Sequence, residues 1–156
     1  MPASAGGMRF EVTAPELRQL YVDLKGVEGN LRVELRRGIK DAADGVVAAV
    51  VAASSWSTRI PGAVRAKPSF SAKSTGVSIV VDGKAAPEAK PLNNRGRAGQ
   101  FRHPVHANPN QTRDLWTWAE QPARPFFDLT IAARSPAITR RIEQVADDVA
   151  RKAGFK

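Results

Sequence analysis

The segment LRVELRRGIKDAADGVVAAVVAASS, residues 31–55, carries the strongest structural signal in the sequence. Its apolar side chains recur every three or four residues, at Leu31, Leu35, Ile39, Ala42, Val46 and Val50. This spacing predicts one long α-helix, about 37 Å in length, with a single apolar face. Gly38 and Gly45 each cost about 1 kcal/mol relative to alanine in a helix interior. They predict either a bend or, as we expect, a close approach by another backbone.

The residues before this helix form an N-terminal extension, 1–29. Alternating apolar and polar side chains at 8–13 predict a short strand. Thr13 is expected to cap a helix that has Pro15 in its first turn. The apolar spacing that follows predicts a short helix ending near Gly26.

Beyond Pro61 the apolar period changes from that of a helix to that of a strand. Residues 66–74 and 77–82 predict two strands of a hairpin that turns at Thr75 and Gly76. Residues 83–99 show no periodicity and predict a long loop. A third strand is expected at 101–106, with Pro104 marking an edge or a bulge, and a fourth at 115–119.

The last third of the chain returns to helix. Residues 121–127 predict a rigid turn, and 128–133 one or two helical turns. Ser135 and Pro136 predict a new helix start, and Gly154 its C-terminal cap. The apolar stripe of this helix comprises Ile138, Ile142, Val145 and Val149. The fold class is therefore α+β: one domain, 1–156, in which a small, mostly antiparallel sheet packs against the long helix and a C-terminal helix follows.

The basic residues are concentrated in the middle of the chain. The sequence has 24 Lys and Arg against 15 Asp and Glu, a net charge of +9. Residues 59–113 hold ten of the cations and two of the anions, and both ends are nearly neutral. Those expected to face DNA or an acidic partner are Lys84, Lys90, Arg95, Arg97 and Arg102. If the cations share one face they could neutralise phosphates; otherwise they are solvated loop charges or contacts to acidic surfaces of partner subunits.

Motifs of enzymatic chemistry are missing from the sequence. Cysteine is absent, which excludes disulfides, thiolate metal sites and cysteine nucleophiles. The only histidines, His103 and His106, have no acidic neighbours, so we expect neither a metal ligand nor a base. The basic, glycine-bearing segment 93–99 is a weak phosphate-binding signal. We expect no catalytic residue, no cofactor, no metal and no enzyme activity.

The sequence also predicts no membrane partner. Its longest apolar run, 46–53, is far shorter than the roughly 20 residues of a membrane span. The first residues lack the pattern of a secretory signal, so we expect a protein made and used inside a cell.

Four aromatic side chains cluster late in the chain: Trp116, Trp118, Phe126 and Phe127. Large aromatic residues at strand spacing usually fill a core. The alternative is that they anchor a contact between subunits, where tryptophan is enriched.

The order of elements, together with WAEQPARPFF at 118–127, resembles the neck or tail-completion proteins of long-tailed bacteriophages, head–tail connector proteins of the lambdoid type. PARPFF at 122–127 is the most specific part, and FRHPV at 101–105 resembles members from actinobacterial phages. The resemblance covers 30–156. The long loops at 83–99 and 107–113 depart from the family pattern.

This resemblance implies a structural role without catalysis. Subunits would form a homo-oligomeric ring, a hexamer in preference to a dodecamer, at the junction of head and tail. Its partners would be the adjacent connector and tail-terminator proteins and the genomic DNA in the channel, and its location the neck of a virion made in the host cytoplasm. The candidates for the subunit interface are Pro122, Arg124, Pro125, Phe126, Phe127, Trp116 and Trp118.

Arg124 has a specific part in this hypothesis. The turn at 122–127 directs the chain into the last helix, and the guanidinium of Arg124 would bind a carboxylate or backbone carbonyls, within the subunit or on its neighbour. The competing hypothesis is a stand-alone nucleic-acid-binding protein whose contact region is the basic segment 59–113.

Overall fold

A computed structural model of the protein describes residues 7–27, 29–106 and 108–155, with the backbone alone at His106. Residues 1–6 of the predicted extension lie outside the described residues. In chain order the elements are β1 (Met8–Thr13), α1 (Pro15–Asp23), α2 (Leu31–Ala53), α3 (Ile60–Ala63), β2 (Val64–Phe70), β3 (Thr75–Val81), α4 (Ala89–Asn93), β4 (Gln100–His106), β5 (Thr117–Pro122) and α5 (Phe126–Lys152). The α+β class, the long helix and the C-terminal helix are confirmed.

The described strands form two antiparallel sheets where the sequence pattern predicted one. The first has the order β1-β3-β2, and the second pairs β4 with β5. In the first sheet Phe10 lies opposite Ile79, and Ile79 opposite Ala66. Every residue of the central strand β3 is buried. Strand propensity does not specify pairing partners, and this sheet joins β1 to a strand almost seventy residues away.

The core lies between this sheet and the two long helices. On α2 the buried side chains are Leu35, Ile39, Ala43, Val46 and Val50, so Ala43 replaces the predicted Ala42. The predicted α5 stripe from Ile138 to Val149 is buried as well. Helix α1 adds Leu17 and Tyr21 to the same core, and the 3-10 turn after it, Leu24–Gly26, adds Leu24. The predicted extension is therefore an integral part of the packed domain.

The two glycines of α2 have different surroundings. A Cβ atom at Gly38 would overlap the methyl groups of Val145 on α5, so close packing is confirmed there, although the neighbour is a side chain and not the predicted backbone. At Gly45 no atom of the described residues lies within 4 Å of such a Cβ, so the predicted close approach is wrong there.

The predicted hairpin turn at Thr75 and Gly76 is wrong. The chain reverses at 71–74, where the amide of Ser71 donates to the carbonyl of Ser74 at 2.9 Å. Thr75 and Gly76 belong to β3. Gly76 is required by packing against β1, because a Cβ there would overlap the carbonyl oxygen of Val12.

The predicted helix start at Ser135 and Pro136 is also wrong, because α5 runs through both residues. An internal proline costs about 3 kcal/mol through the lost amide donor and a steric clash. Apolar side chains are buried on both sides of it, including Ile131 and Ile138, and this burial keeps the helix continuous. The predicted cap at Gly154 is confirmed: its φ is +80°, and the following amide of Phe155 donates to the Ala150 carbonyl at 2.9 Å.

Smaller differences concern the ends of elements. α1 begins at Pro15 as predicted, but its N-cap is Ala14, so Thr13 provides no side-chain cap. The predicted loop at 83–99 contains α4 and a 3-10 turn, Asn94–Gly96, because Ala86, Ala89 and Leu92 are buried there. The predicted bulge is confirmed between Pro104 and His106. None of the described helices combines the length and hydropathy of a membrane span.

Candidate interaction surface

The first turn of α5 is capped by a residue from a distant part of the chain. Asn93, at the end of α4, is only 3% exposed. Its side-chain oxygen accepts hydrogen bonds from the amides of Phe127 at 3.0 Å and Asp128 at 3.1 Å. These amides have no acceptor within the helix, so Asn93 joins the segment before the second sheet to the helix that follows it.

A left-handed turn follows Asn93 and brings the chain past the start of α5. Asn94, Arg95 and Gly96 have φ values of +47°, +54° and +77°. A Cβ atom at Gly96 would lie 3.0 Å from the Cβ of Asp128, so glycine is required for this approach. The weak phosphate-binding signal at 93–99 stays a prediction; at the adjacent start of α5, the amides of Phe127 and Asp128 are already bound by Asn93.

The second sheet is a two-stranded ribbon; we call its strands β4 and β5, together with the residues 108–116 that connect them, the β-ribbon. Arg102 lies opposite Glu120, and Pro104 opposite Trp118. Each strand pairs with a single neighbour among the described residues, so each presents an unpaired edge. At its base the ribbon packs against α4.

One face of the β-ribbon carries a stack of two arginines and two tryptophans. The rings of Trp116 and Trp118 are 6.0 Å apart between centroids and inclined by 29°. The guanidinium of Arg102 lies 5.3 Å from the centroid of Trp118, and that of Arg113 lies 5.8 Å from Trp116. The indole N–H of Trp116 donates to the carbonyl of Asn108 at 2.9 Å. We call this stack the Arg–Trp ladder.

The ladder corrects the expectation that the two tryptophans fill the core. Trp116 and Trp118 are each half-buried, and both lie outside the main core cluster. The reason is that β5 pairs with β4 and not with the buried strand β3. Close to the ladder, Val105 at the bulge is 49% exposed and Leu115 is 65% exposed. The ribbon therefore presents apolar and cationic side chains to solvent.

The other interface candidates, 122–127, divide into exposed and buried residues. Phe126 and Phe127 are 5% and 2% exposed and belong to the core of the chain itself. They are therefore not free to anchor a neighbouring subunit. Pro122 and Arg124 are exposed, and Pro125 is half-buried.

Arg124 lies at the junction of the β-ribbon and α5. Its guanidinium is 4.8 Å from the centroid of the Trp56 ring, which in turn contacts Phe126 edge-on at 6.0 Å. Its backbone amide donates to the Leu92 carbonyl at 2.7 Å. Within the chain the partner of the Arg124 side chain is therefore an aromatic ring and not the expected carboxylate or carbonyl. A carboxylate or carbonyl on a neighbouring subunit stays a prediction.

The basic residues of the middle segment do not form a single patch on one sheet. Arg65 and Lys67 of β2 lie on the outer face of the first sheet. Arg65 pairs with Val80 of β3 and Lys67 pairs with Ser78, and each of these β3 residues pairs in turn with a residue of β1. Lys84, Lys90, Arg95, Arg97 and Arg102 are all exposed. These five follow the chain from the end of the first sheet, through α4 and the 3-10 turn, into the ribbon.

Two surface carboxyl groups have lowered pKa values, each for a local reason. The backbone amide of Lys84 donates to Asp82 at 2.9 Å and lowers its pKa, with Arg65 at 2.8 Å adding a smaller effect. A hydrogen bond from the hydroxyl of Thr112 lowers the pKa of Asp114. Among the described residues no three His, Cys, Asp or Glu side chains are grouped to hold a metal ion.

His103 packs on Phe101 with 5.8 Å between ring centroids, and the side chain of His106 lies outside the described residues. Two other residues at this surface, Asn93 and Trp56, are not predicted by any local sequence pattern. Capping motifs are recognised in a sequence only when the cap directly precedes its helix, whereas Asn93 lies 34 residues from Phe127. The contacts of Trp56 with Arg124 and Phe126 likewise join segments that are distant in sequence.

Comparison of the chain with protein-family models, with curated proteins and with solved structures finds no match.

Proposed function

We propose that this protein is a structural component of a bacteriophage head–tail connector, of the neck or tail-completion type. Its subunits form a ring, a hexamer in preference to a dodecamer, through which the genomic DNA passes. The ring contacts the adjacent connector and tail-terminator proteins in the virion. The proposal rests on the resemblance of 101–105 and 122–127 to that family.

The β-ribbon is the structural observation that supports an assembly role. Among the described residues it has two unpaired edges, it exposes Val105 and Leu115, and it adds only the partly buried Phe101 to the core. Unpaired strand edges and exposed apolar side chains are features that proteins use for pairing with another chain. A ring needs such a surface, because each subunit must meet a different patch on the next.

The first experiment measures the mass of the purified protein by light scattering, alone and with duplex DNA at two salt concentrations. Ring-sized particles support the connector proposal. In a phage that carries this gene, its deletion should leave DNA-filled heads and separate tails. A chain that stays monomeric, and a phage that still joins heads to tails, would contradict the proposal.

Arg124 is tested against a matched arginine. Arg124→Ala should reduce ring assembly and phage yield, whereas Arg134→Ala, an exposed change on α5, should leave both unchanged. Equal behaviour of the two variants would remove Arg124 from the interface without affecting the ring proposal.

The second candidate function is nucleic-acid binding by the basic segment 59–113. The Arg–Trp ladder favours it, because stacked aromatic rings flanked by arginines are a platform for bases. This hypothesis expects monomer–DNA complexes that weaken steeply with salt, since each neutralised phosphate releases a counterion. The mass measurements at two salt concentrations distinguish it from the ring.

A further inference from the structure

An apolar groove of about 540 Å³ lies between the start of the chain and the C-terminal half of α5. Its floor includes Phe10 and Val12 of β1, Leu20 of α1, and Ile142 and Ala146 of α5. This volume is within the range of pockets that hold a ligand or several side chains of a partner.

Carboxylates surround this apolar floor. Glu11, Glu16, Glu143 and Asp147 all line the groove and are exposed. Only Glu11 has a cation within 4.0 Å among the described residues, with Arg9 at 3.8 Å. An occupant of this groove therefore needs apolar side chains for the floor and positive charges for the rim.

The β-ribbon carries this combination. Leu115 and Val105 are its most exposed apolar side chains. Arg113 lies in the same 3-10 turn as Leu115, and Arg102 lies nearer the base, opposite Glu120. The guanidinium groups of Arg102 and Arg113 lie over the rings of Trp118 and Trp116. The guanidinium groups are thus already oriented, which lowers the entropy lost when they bind a carboxylate.

Among the described residues none of the ribbon lines the groove of its own chain, and the base of the ribbon and the groove lie at opposite ends of α5. The ribbon ends just before Phe126, where the helix begins, whereas the groove is lined by α5 residues from Thr139 to Ala150. At 1.5 Å per residue these positions are about 20 to 36 Å along the helix from its first residue. In a head-to-tail arrangement, the ribbon of one copy can reach the groove of the neighbouring copy.

We infer that the β-ribbon of one subunit docks in the acidic groove of the next, with Leu115 on the apolar floor and Arg102 and Arg113 paired with the rim carboxylates. This inference rests on the proposed ring and names the two different surfaces that such a ring needs. The contact is heterologous, so repeating it generates a closed ring when the rotation allows.

The test uses disulfide trapping, which is simple here because the chain has no cysteine. A chain with Leu115→Cys and a second, mass-tagged chain with Ala146→Cys are mixed and oxidised with copper–phenanthroline. We expect a disulfide between the two different chains. The control pairs Leu115→Cys with Val33→Cys, which is exposed on α2 and lies outside the groove. The first pair should give at least ten times the yield of the control pair.

Charge reversal then tests the proposed partners. Glu143→Arg with Asp147→Arg in the Ala146→Cys chain should lower the yield at least tenfold, and so should Arg102→Glu with Arg113→Glu in the Leu115→Cys chain. Mixing the two reversed chains should restore most of the cross-link, because the charges are again opposite. Circular dichroism verifies that each variant is folded.

The outcomes separate this inference from the proposed function. Ring-sized particles of the unmodified protein without a cross-link above the control would overturn the docking inference and leave the ring proposal standing. A monomer that forms no cross-link would overturn both. A cross-link that charge reversal does not change would overturn the pairing of the arginines with the rim.

Discussion

Gly38 of α2 lies directly against Val145 of α5. A Cβ atom at position 38 would come within 2.9 Å of one methyl carbon of Val145 and closer still to the other, and real Cβ contacts are essentially never below 3.0 Å. Valine is β-branched and has little rotamer freedom in a helix, so it cannot move aside easily. The contact between the two long helices therefore depends on the missing side chain of Gly38.

Gly38→Ala should lower the free energy of unfolding. Overpacking of a close contact costs typically about 1–3 kcal/mol, which exceeds the gain of about 1 kcal/mol in helix propensity. Urea denaturation followed by circular dichroism measures the difference.

The matched control is Gly45→Ala in the same helix, where a new Cβ meets no atom within 4 Å. It should raise the free energy of unfolding by about 1 kcal/mol. Stabilisation by both substitutions would contradict the close contact at Gly38.

Asn93→Ala should destabilise the protein by about 1–2 kcal/mol, because two amides at the start of α5 lose their shared acceptor. Hydrogen exchange should show faster exchange of the Phe127 and Asp128 amides. Asn110→Ala, an exposed change in the loop between β4 and β5, is the control and should stay within about 0.5 kcal/mol of the original. Unchanged exchange in Asn93→Ala would refute the cap.

Pro136→Ala should raise the free energy of unfolding by up to about 3 kcal/mol, since it restores an amide donor and removes the clash of the ring with the preceding turn. Thermal and urea denaturation both measure this effect. A loss of stability would contradict this prediction. It would mean that the backbone geometry that Pro136 imposes on α5 is needed for the burial of Ile131, before the proline, and of Ile138, after it.

Asp82 should contribute to acid sensitivity. Its pKa is lowered below the ordinary 3.8 in the folded state, so its stabilising effect is present at neutral pH and is lost as pH falls through the folded-state pKa. Asp82→Asn should therefore lower the Tm at neutral pH and flatten its decrease as the pH falls below about 4.

Arg65→Met distinguishes the two partners of Asp82. The backbone amide of Lys84 is the larger cause of the lowered pKa, so Arg65→Met should keep most of the acid sensitivity. A profile as flat as that of Asp82→Asn would instead assign the effect to the ion pair with Arg65.

The interface candidates show how much of the surface could be predicted. The sequence predicts Trp116 and Trp118 as either core or interface residues. Their spacing of two residues indicates a shared face of a strand, but it does not indicate whether that face packs on the core or on another subunit. The choice depends on which strand pairs with β5, and that pairing is a property of the whole chain. Phe126 and Phe127 were selected for the interface by resemblance, yet their position next to Asn93 and Trp56 buries them in the core.

Local pattern alone was sufficient for β1, α2, the apolar stripe of α5 and the cap at Gly154, because each depends on interactions within a few residues along the chain. Periodicity and a glycine with positive φ are properties of such short segments. The division into two sheets, the cap at Asn93, the continuity of α5 through Pro136 and the contact of Gly38 with Val145 were decided only in the tertiary structure. Each of these features depends on burial or hydrogen bonding between segments that are distant in sequence, and there the burial of apolar surface outweighs the local signals of proline, loop and turn.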